Sequence, residues 1–140
     1  MPEESTTPDL VARMQRYVDA ANAHDVDAVM SLFAPDAVWD MGEGSMSIVE
    51  GHAALREFFS EWISLYEDFE VEANEMQDLG NGVTICSIDQ RGRARGSSAS
   101  VGVRYATAWA WTDGLVTRTM SYFNIDEARA AGERLAKERG

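Results

Sequence analysis

The chain reads as a single α+β domain: two helices, a short hairpin, a third helix, then three or four long antiparallel strands and a terminal helix. Three observations predict this. Apolar residues fall at three-then-four spacing near the start (Leu10, Met14, Tyr17, Val18, Ala21), alternate from residue 68 onward, and return to helical spacing after Asn124. Turn signals separate the strands, and Gly92, Gly96 and Gly102 are placed to supply the bulges that a strongly curled sheet needs. A domain of 140 residues buries roughly 70% of its unfolded surface, so it needs no metal or disulfide to fold.

Residues 1–6 hold no apolar pattern and are expected to form a disordered tail, leaving 7–140 as the domain, terminal helix included. Thr7 and Pro8 suit the cap and first turn of a helix over about 8–23, with Asp9 at its positive dipole end. Asp25 caps a second helix whose stripe is Val26, Val29, Leu32 and Phe33, and Pro35 stops it. A strand over about 37–41 turns Val38 and Asp40 one way and Ala37, Trp39 and Met41 the other. Residues 42–45 have turn composition and 46–49 return as a short strand, so Asp40 lies at a hairpin mouth.

Gly51 opens a third helix with an apolar face of Leu55, Phe58, Phe59, Trp62 and Leu65. Phe69, Val71 and Ala73 then alternate with acids, Gly80-Asn81-Gly82 makes a tight turn, and long strands follow over 83–95 and about 99–112. Thr112-Asp113-Gly114 joins the latter to a strand over 115–124. Asn124 or Asp126 caps an Ala-rich helix with Ile125, Ala128, Ala131 and Leu135 on one side, to be covered by the sheet or by a partner chain.

The run from Met14 to Asp40 resembles the opening of the NTF2-like superfamily, in particular ketosteroid isomerase and the SnoaL-like proteins. The matching residues are Tyr17, then Asn22, Ala23, Asp25 and Asp27, then Leu32 to Ala34 with Asp36 and Ala37, and finally Asp40. The likeness continues through residues 51–59 and the turn at 111–114. It implies a cone-shaped barrel, a curved and mostly antiparallel sheet with helices packed on its concave side, and a pocket there. The superfamily hosts isomerases, cyclases, hydrolases, dehydratases and proteins without chemistry, so the fold alone names no activity.

The likeness also implies two catalytic candidates. In the isomerase a pocket aspartate moves a proton between carbons while a tyrosine donates to the dienolate oxygen; the counterparts are Asp40 as base and Tyr17 as oxyanion donor. Asp40 stands one position earlier than the family base, which reverses the face of a strand side chain unless a bulge restores the register. The second donor falls near Thr107, which has no acidic proton to offer, and a pocket tyrosine of the third helix is Phe59 here. The alternatives are a core tyrosine bonded to a buried acceptor and a turn-capping carboxylate.

Strand alternation puts Tyr105, Thr107, Trp109 and Trp111 on one face and Arg104, Ala106, Ala108 and Ala110 on the other. By analogy the Thr107 face is concave, with Thr119, Ser121 and Phe123 beside it. Phe59, Trp62, Tyr105, Thr107, Trp109, Thr119 and Phe123 are thus the candidate contacts for an apolar or aromatic small molecule, the alternative being that the aromatics fill the core. The alanine face suits the close approach of a second sheet, and a homodimer is expected. Arg91, Arg93 and Arg95 with Asp89, Arg104 and Arg118 form either an anion clamp or a solvated ladder of ion pairs.

With 24 acidic and 12 basic residues the net charge is −12, which opposes a nucleic-acid partner. Neither His24 nor His52 has the partners of a nucleophilic triad, and no Cys or His spacing implies a metal or other cofactor. Cys86 is the only cysteine, and there is neither a membrane-length apolar run nor an export leader, so the expected location is the cytoplasm. Two functions fit: an enzyme moving a proton on a polycyclic or aromatic carbonyl compound, or a carrier, sensor or dimeric scaffold without chemistry.

Overall fold

The computed structural model describes residues 9–40 and 48–140. The tail expected over 1–6 and the turn over 42–45 lie outside the described residues. The elements are α1 (Leu10–Asn22), α2 (Val26–Met30), β1 (Phe33–Asp40), β2 (Ile48–Glu50), α3 (His52–Ser64), β3 (Tyr66–Gly80), β4 (Val83–Ala94), β5 (Ser100–Thr112), β6 (Leu115–Tyr122) and α4 (Ile125–Arg139). They build the α+β architecture expected from the periodicity, with one sheet in the order β2-β1-β6-β5-β4-β3. Every pairing is antiparallel except β1 with β6.

Local chemistry explains the boundaries. Asp9, Asp25 and Asn124 cap α1, α2 and α4 by accepting from the backbone N–H groups of Ala12, Ala28 and Glu127. Asp9 is thus itself the cap of α1 rather than a first-turn charge. Helix α2 stops at Met30, and Leu32 and Phe33 leave it for the core. Pro35 sits inside β1, where the ladder to β6 is interrupted between Phe33 and Val38, so its missing N–H leaves no bond unmade. At both two-residue hairpin loops the central residues have positive φ: Asn81 and Gly82, then Asp113 and Gly114.

The register shifts of the sheet fall between Phe33 and Val38 on β1, on β3 and at Ala110/Trp111, not at the expected glycines. Asp68 and Glu75 carry the positive φ at two of those shifts. Gly92 has another role: a Cβ there would come within 2.9 Å of Tyr66 Cβ.

The sheet has two covered faces. Helices α1 to α3 close the inner, concave face over a core that includes Met14, Tyr17, Phe33, Trp39, Leu55, Phe59, Cys86, Ile88 and Trp109. Helix α4 lies on the other face, over Ile85, Ala106, Ala108 and Met120. The alanine face expected to meet a second sheet is therefore filled by the chain's own last helix. Gly132 makes this possible, because a Cβ there would lie 2.8 Å from Leu79 and 2.9 Å from Ile85. Arg139 and Asn81 fasten the far end, Arg139 to the carbonyls of Asn81 and Trp111, and Asn81 to that of Ala136.

Candidate functional site: an aromatic cleft on the inner face

A cleft of about 200 Å³ opens on the inner face, lined by Trp39, Phe58, Trp62, Gln90, Tyr105 and Ser121. Its walls follow from the periodicity of three elements. Phe58 and Trp62 are one helical turn apart on α3 and stack with ring centroids 6.2 Å apart. Gln90 follows Thr84, Cys86 and Ile88 at period two on β4, and Tyr105 and Ser121 project from β5 and β6 on the same face. The polar atoms are few and partnered: Tyr105 Oη donates to Gln90 Oε1 at 3.4 Å, and Trp39 Nε1 donates to Ser121 Oγ at 3.0 Å.

Beneath the cleft the hollow is packed with rings. Tyr17 stands at 5.0 Å from Trp109, 6.1 Å from Phe59, 6.2 Å from Phe33 and 6.4 Å from Trp39, measured between centroids. Its hydroxyl is buried and has no hydrogen-bond partner among the described residues. Burial pushes its pKa well above the ordinary value, and the neighbouring Tyr105 and Cys86 push the same way, so it is a neutral phenol. Thr119 Oγ1 is a second buried hydroxyl without a partner among the described residues. Thr107 differs: its Oγ1 accepts from Trp109 Nε1 at 2.6 Å and lies 3.3 Å from Cys86 Sγ. Burial pushes the Cys86 thiol up to about 11, against the opposing effect of hydrogen bonds with Thr107 and Trp109.

The candidate residues separate accordingly. Trp62 and Tyr105 line the cleft, whereas Phe59, Thr107, Trp109 and Thr119 are core groups below it. Phe123 lies past the end of β6, is 83% exposed, and takes no part in the cleft. Leu65, expected on the apolar face of α3, caps that helix and is also exposed. Asp40 stands in the register of the face opposite the Tyr17 cluster. It pairs in register with Met120, which lies under α4, while Trp39 before it pairs with Thr119 and joins the inner core. No bulge corrects the offset between Val38 and Asp40.

Three arginines of the ladder form exposed ion pairs, while Arg95 donates to the carbonyl of Ser64 at 2.9 Å. Arg91 meets Glu70 at 2.9 Å, Arg93 meets Asp68 at 2.9 Å, and Arg104 meets Asp89 at 2.6 Å. The hydrogen bond from Arg104 holds the Asp89 carboxyl below its ordinary pKa. His24 and His52 lie against the carbonyls of Phe69 and Met30, away from the cleft. Among the described residues no cluster of three His, Cys, Asp or Glu side chains could hold a metal, and no helix is long and apolar enough to cross a membrane.

Of the lining residues, Trp39, Phe58, Gln90 and Ser121 were not among the contacts expected from the sequence. The signal for Gln90 was its place in the alternation from Thr84, and for Phe58 its spacing from Trp62.

Comparison with solved structures agrees with this architecture. An NTF2-like protein of unknown function from Burkholderia pseudomallei superposes with a TM-score of 0.72 at 16% identity, over 86% of this chain and 95% of that one. RV0760c from Mycobacterium tuberculosis, in complex with estradiol-17β-hemisuccinate, gives 0.71 at 20% identity over 84% and 95%. SalBIII, an epoxide hydrolase/cyclase-like enzyme of pyran ring formation in salinomycin, gives 0.70 at 18% over 90% and 96%. At such identities the likeness is one of fold. The SnoaL-like domain profile matches residues 14–119, most of the inner-face helices and the sheet, and the chain therefore belongs to the SnoaL-like domain family.

Proposed function

We propose that this chain binds a flat, apolar or aromatic small molecule in the inner-face cleft. One observation carries the reading: three aromatic side chains (Trp39, Phe58 and Trp62) and three polar ones (Gln90, Tyr105 and Ser121) converge on a single concavity. Rings supply dispersion and area, while the amide and hydroxyls orient a ligand's polar atom. The estradiol derivative held by RV0760c is a ligand of this chemical kind on the same fold.

A proton-transfer enzyme is the second reading, and the buried, unpartnered hydroxyl of Tyr17 favours it, since an oxyanion donor has that character. That reading assigns Asp40 as the base. The register of β1 counts against it, and among the described residues the cleft lining contains no carboxylate or imidazole to replace Asp40. Binding without chemistry is the reading the geometry supports better.

The test is a titration of the intrinsic tryptophan fluorescence with planar aromatic compounds, because Trp39 and Trp62 line the cleft. Saturable quenching that Ser121→Trp abolishes, in a protein still folded by circular dichroism, is the expected result. Quenching untouched by that substitution refutes the site. Turnover of an enone or polyketide, lost in Asp40→Asn, restores the enzyme reading.

A further inference from the structure

We infer that the cleft holds only the ring end of its ligand, and that a linear hydrocarbon tail of the same molecule lies along the outer half of β5 over Val103 and Val101. The inference rests on the binding reading above and adds a second subsite and the ligand class that fits both.

The register of the sheet places this strip. Val101, Val103 and Tyr105 alternate with Gly102 and Arg104 on β5, so the two valines share the inner face with Tyr105, which lines the cleft. Val103 pairs with Gln90, another lining residue, and Val101 pairs with Gly92. Two residues of strand cover ~7 Å, so Val101 lies ~14 Å beyond Tyr105. The strip starts at the cleft wall and runs away from it along one strand.

The fold leaves the strip uncovered. Strand β6 ends at Tyr122, opposite Ala106, so β5 from Ser100 to Tyr105 is paired with β4 alone among the described residues. Val103 is 46% and Val101 39% exposed, although the same face buries Thr107 and Trp109 further along the strand. The far wall is Tyr66. A Cβ at Gly92 would lie 2.9 Å from Tyr66 Cβ and 3.0 Å from its Cγ, so the tyrosine lies across Gly92, beside Val101. Its ring is 6.0 Å from Phe69, which meets Trp62 of the cleft at 4.9 Å. A shallow trough results, with tyrosine on one side and valines on the other, and it opens from the cleft.

Size and charge identify the occupant. The cleft measures about 200 Å³, below the ~300–1,000 Å³ of sites that enclose a whole drug-sized ligand. A larger ligand seated there overhangs, and the trough continues the cleft on the same face. Valine methyls offer apolar area and no polar atom, which suits a saturated chain. The net charge of −12 opposes a second copy of this chain as the cover. The ligand class is therefore an aromatic ring bearing a linear alkyl or alkenyl chain, with the polar atom of the ring held at Gln90, Tyr105 or Ser121 and the chain leading out over Val103.

The experiment titrates 4-alkylphenols from ethyl to octyl, and 2-naphthol as a ring without a chain, against the tryptophan fluorescence of the whole protein. Each methylene should tighten wild-type binding ~2-fold, short of the ~4-fold for full burial, because the trough is open on one side. In Val101→Ser/Val103→Ser the gain from ethyl to octyl should fall at least ~5-fold, while 2-naphthol affinity stays within ~2-fold and so reports an intact cleft. Ile48→Ser, at an exposed apolar side chain on the edge strand β2, should change neither.

A gain with chain length that the double variant keeps in full, or no gain in the wild type, overturns the tail subsite and leaves the cleft standing. A wild-type dimer in light scattering that Val101→Ser/Val103→Ser dissociates gives the valines to a second copy and overturns it as well. Failure of 2-naphthol and of every phenol to bind refutes the binding reading itself, and this inference with it.

Discussion

Trp39 and Asp40 are consecutive on β1 and serve opposite faces of the sheet. Trp39 pairs with Thr119 and enters the ring cluster around Tyr17, and Asp40 pairs with Met120 beneath α4. A strand has period two, so an indole and not a carboxylate stands in the inner-face register at this point of β1.

Asp40→Asn should therefore leave ligand affinity within ~2-fold of wild type, as measured by the tryptophan titration. A carboxylate acting on the ligand would produce a loss of ten-fold or more, since a charged hydrogen-bonding group at a dry site contributes roughly 1.5–3 kcal/mol.

Ala108 gives the complementary case. It is buried between β5 and α4, on the face away from the cleft. Ala108→Leu should cost about 1–3 kcal/mol by overpacking, seen as a lower urea midpoint, with unchanged affinity for any ligand of the cleft. A reading in which this face holds the ligand predicts the reverse: preserved stability and lost binding.

Much of the fold was legible because local chemistry and the global arrangement agree. The face of α1 predicted from Leu10, Met14, Tyr17, Val18 and Ala21 is the face it buries, and the caps at Asp25 and Asn124 are where the pattern put them. The site was less legible for three physical reasons. An alternation names two faces without saying which one a helix will cover, so the alanines of β5 suited a partner as well as α4. A row of inward aromatics does not show how deep each one lies, so Thr107 and Trp109 looked like ligand contacts although they bond to each other below the cleft. Phe123 sits just beyond the last residue of β6, where the alternation no longer fixes its direction.

Buried hydroxyls in this core are of two kinds, and substitution should separate them. Thr84 Oγ1 accepts from Trp111 Nε1 at 2.9 Å, and both residues are buried. Thr84→Val keeps the shape and strands the indole N–H, so it should destabilise by about 1–3 kcal/mol. Thr119→Val removes a hydroxyl that has no partner among the described residues and should be neutral or stabilising. Denaturation of the two variants side by side checks the contrast, and equal losses would contradict the assignment of Thr119 as an orphan.

Cys86 makes the stability of the protein depend on alkaline pH. Its thiol is 1% exposed, and burial raises its pKa from 9.0 to about 11. The folded state therefore keeps a proton that the unfolded chain releases above pH ~9, and stability must fall as pH rises through this window. At about 1.4 kcal/mol per pH unit, the loss between pH 9 and 11 is roughly 2–3 kcal/mol. Tyr17 and Tyr105, whose pKa values burial also raises, add to the slope above pH ~10. Cys86→Ala should lose stability at neutral pH through its small cavity yet show a flatter decline from pH 9 to 10, read from urea midpoints at each pH. In the wild type at pH 8, an aromatic disulfide reagent should leave the thiol untouched until denaturant opens the core, because the thiolate is both unpopulated and enclosed. Rapid modification of the native protein would mean that the inner face opens far more readily than its packed rings imply.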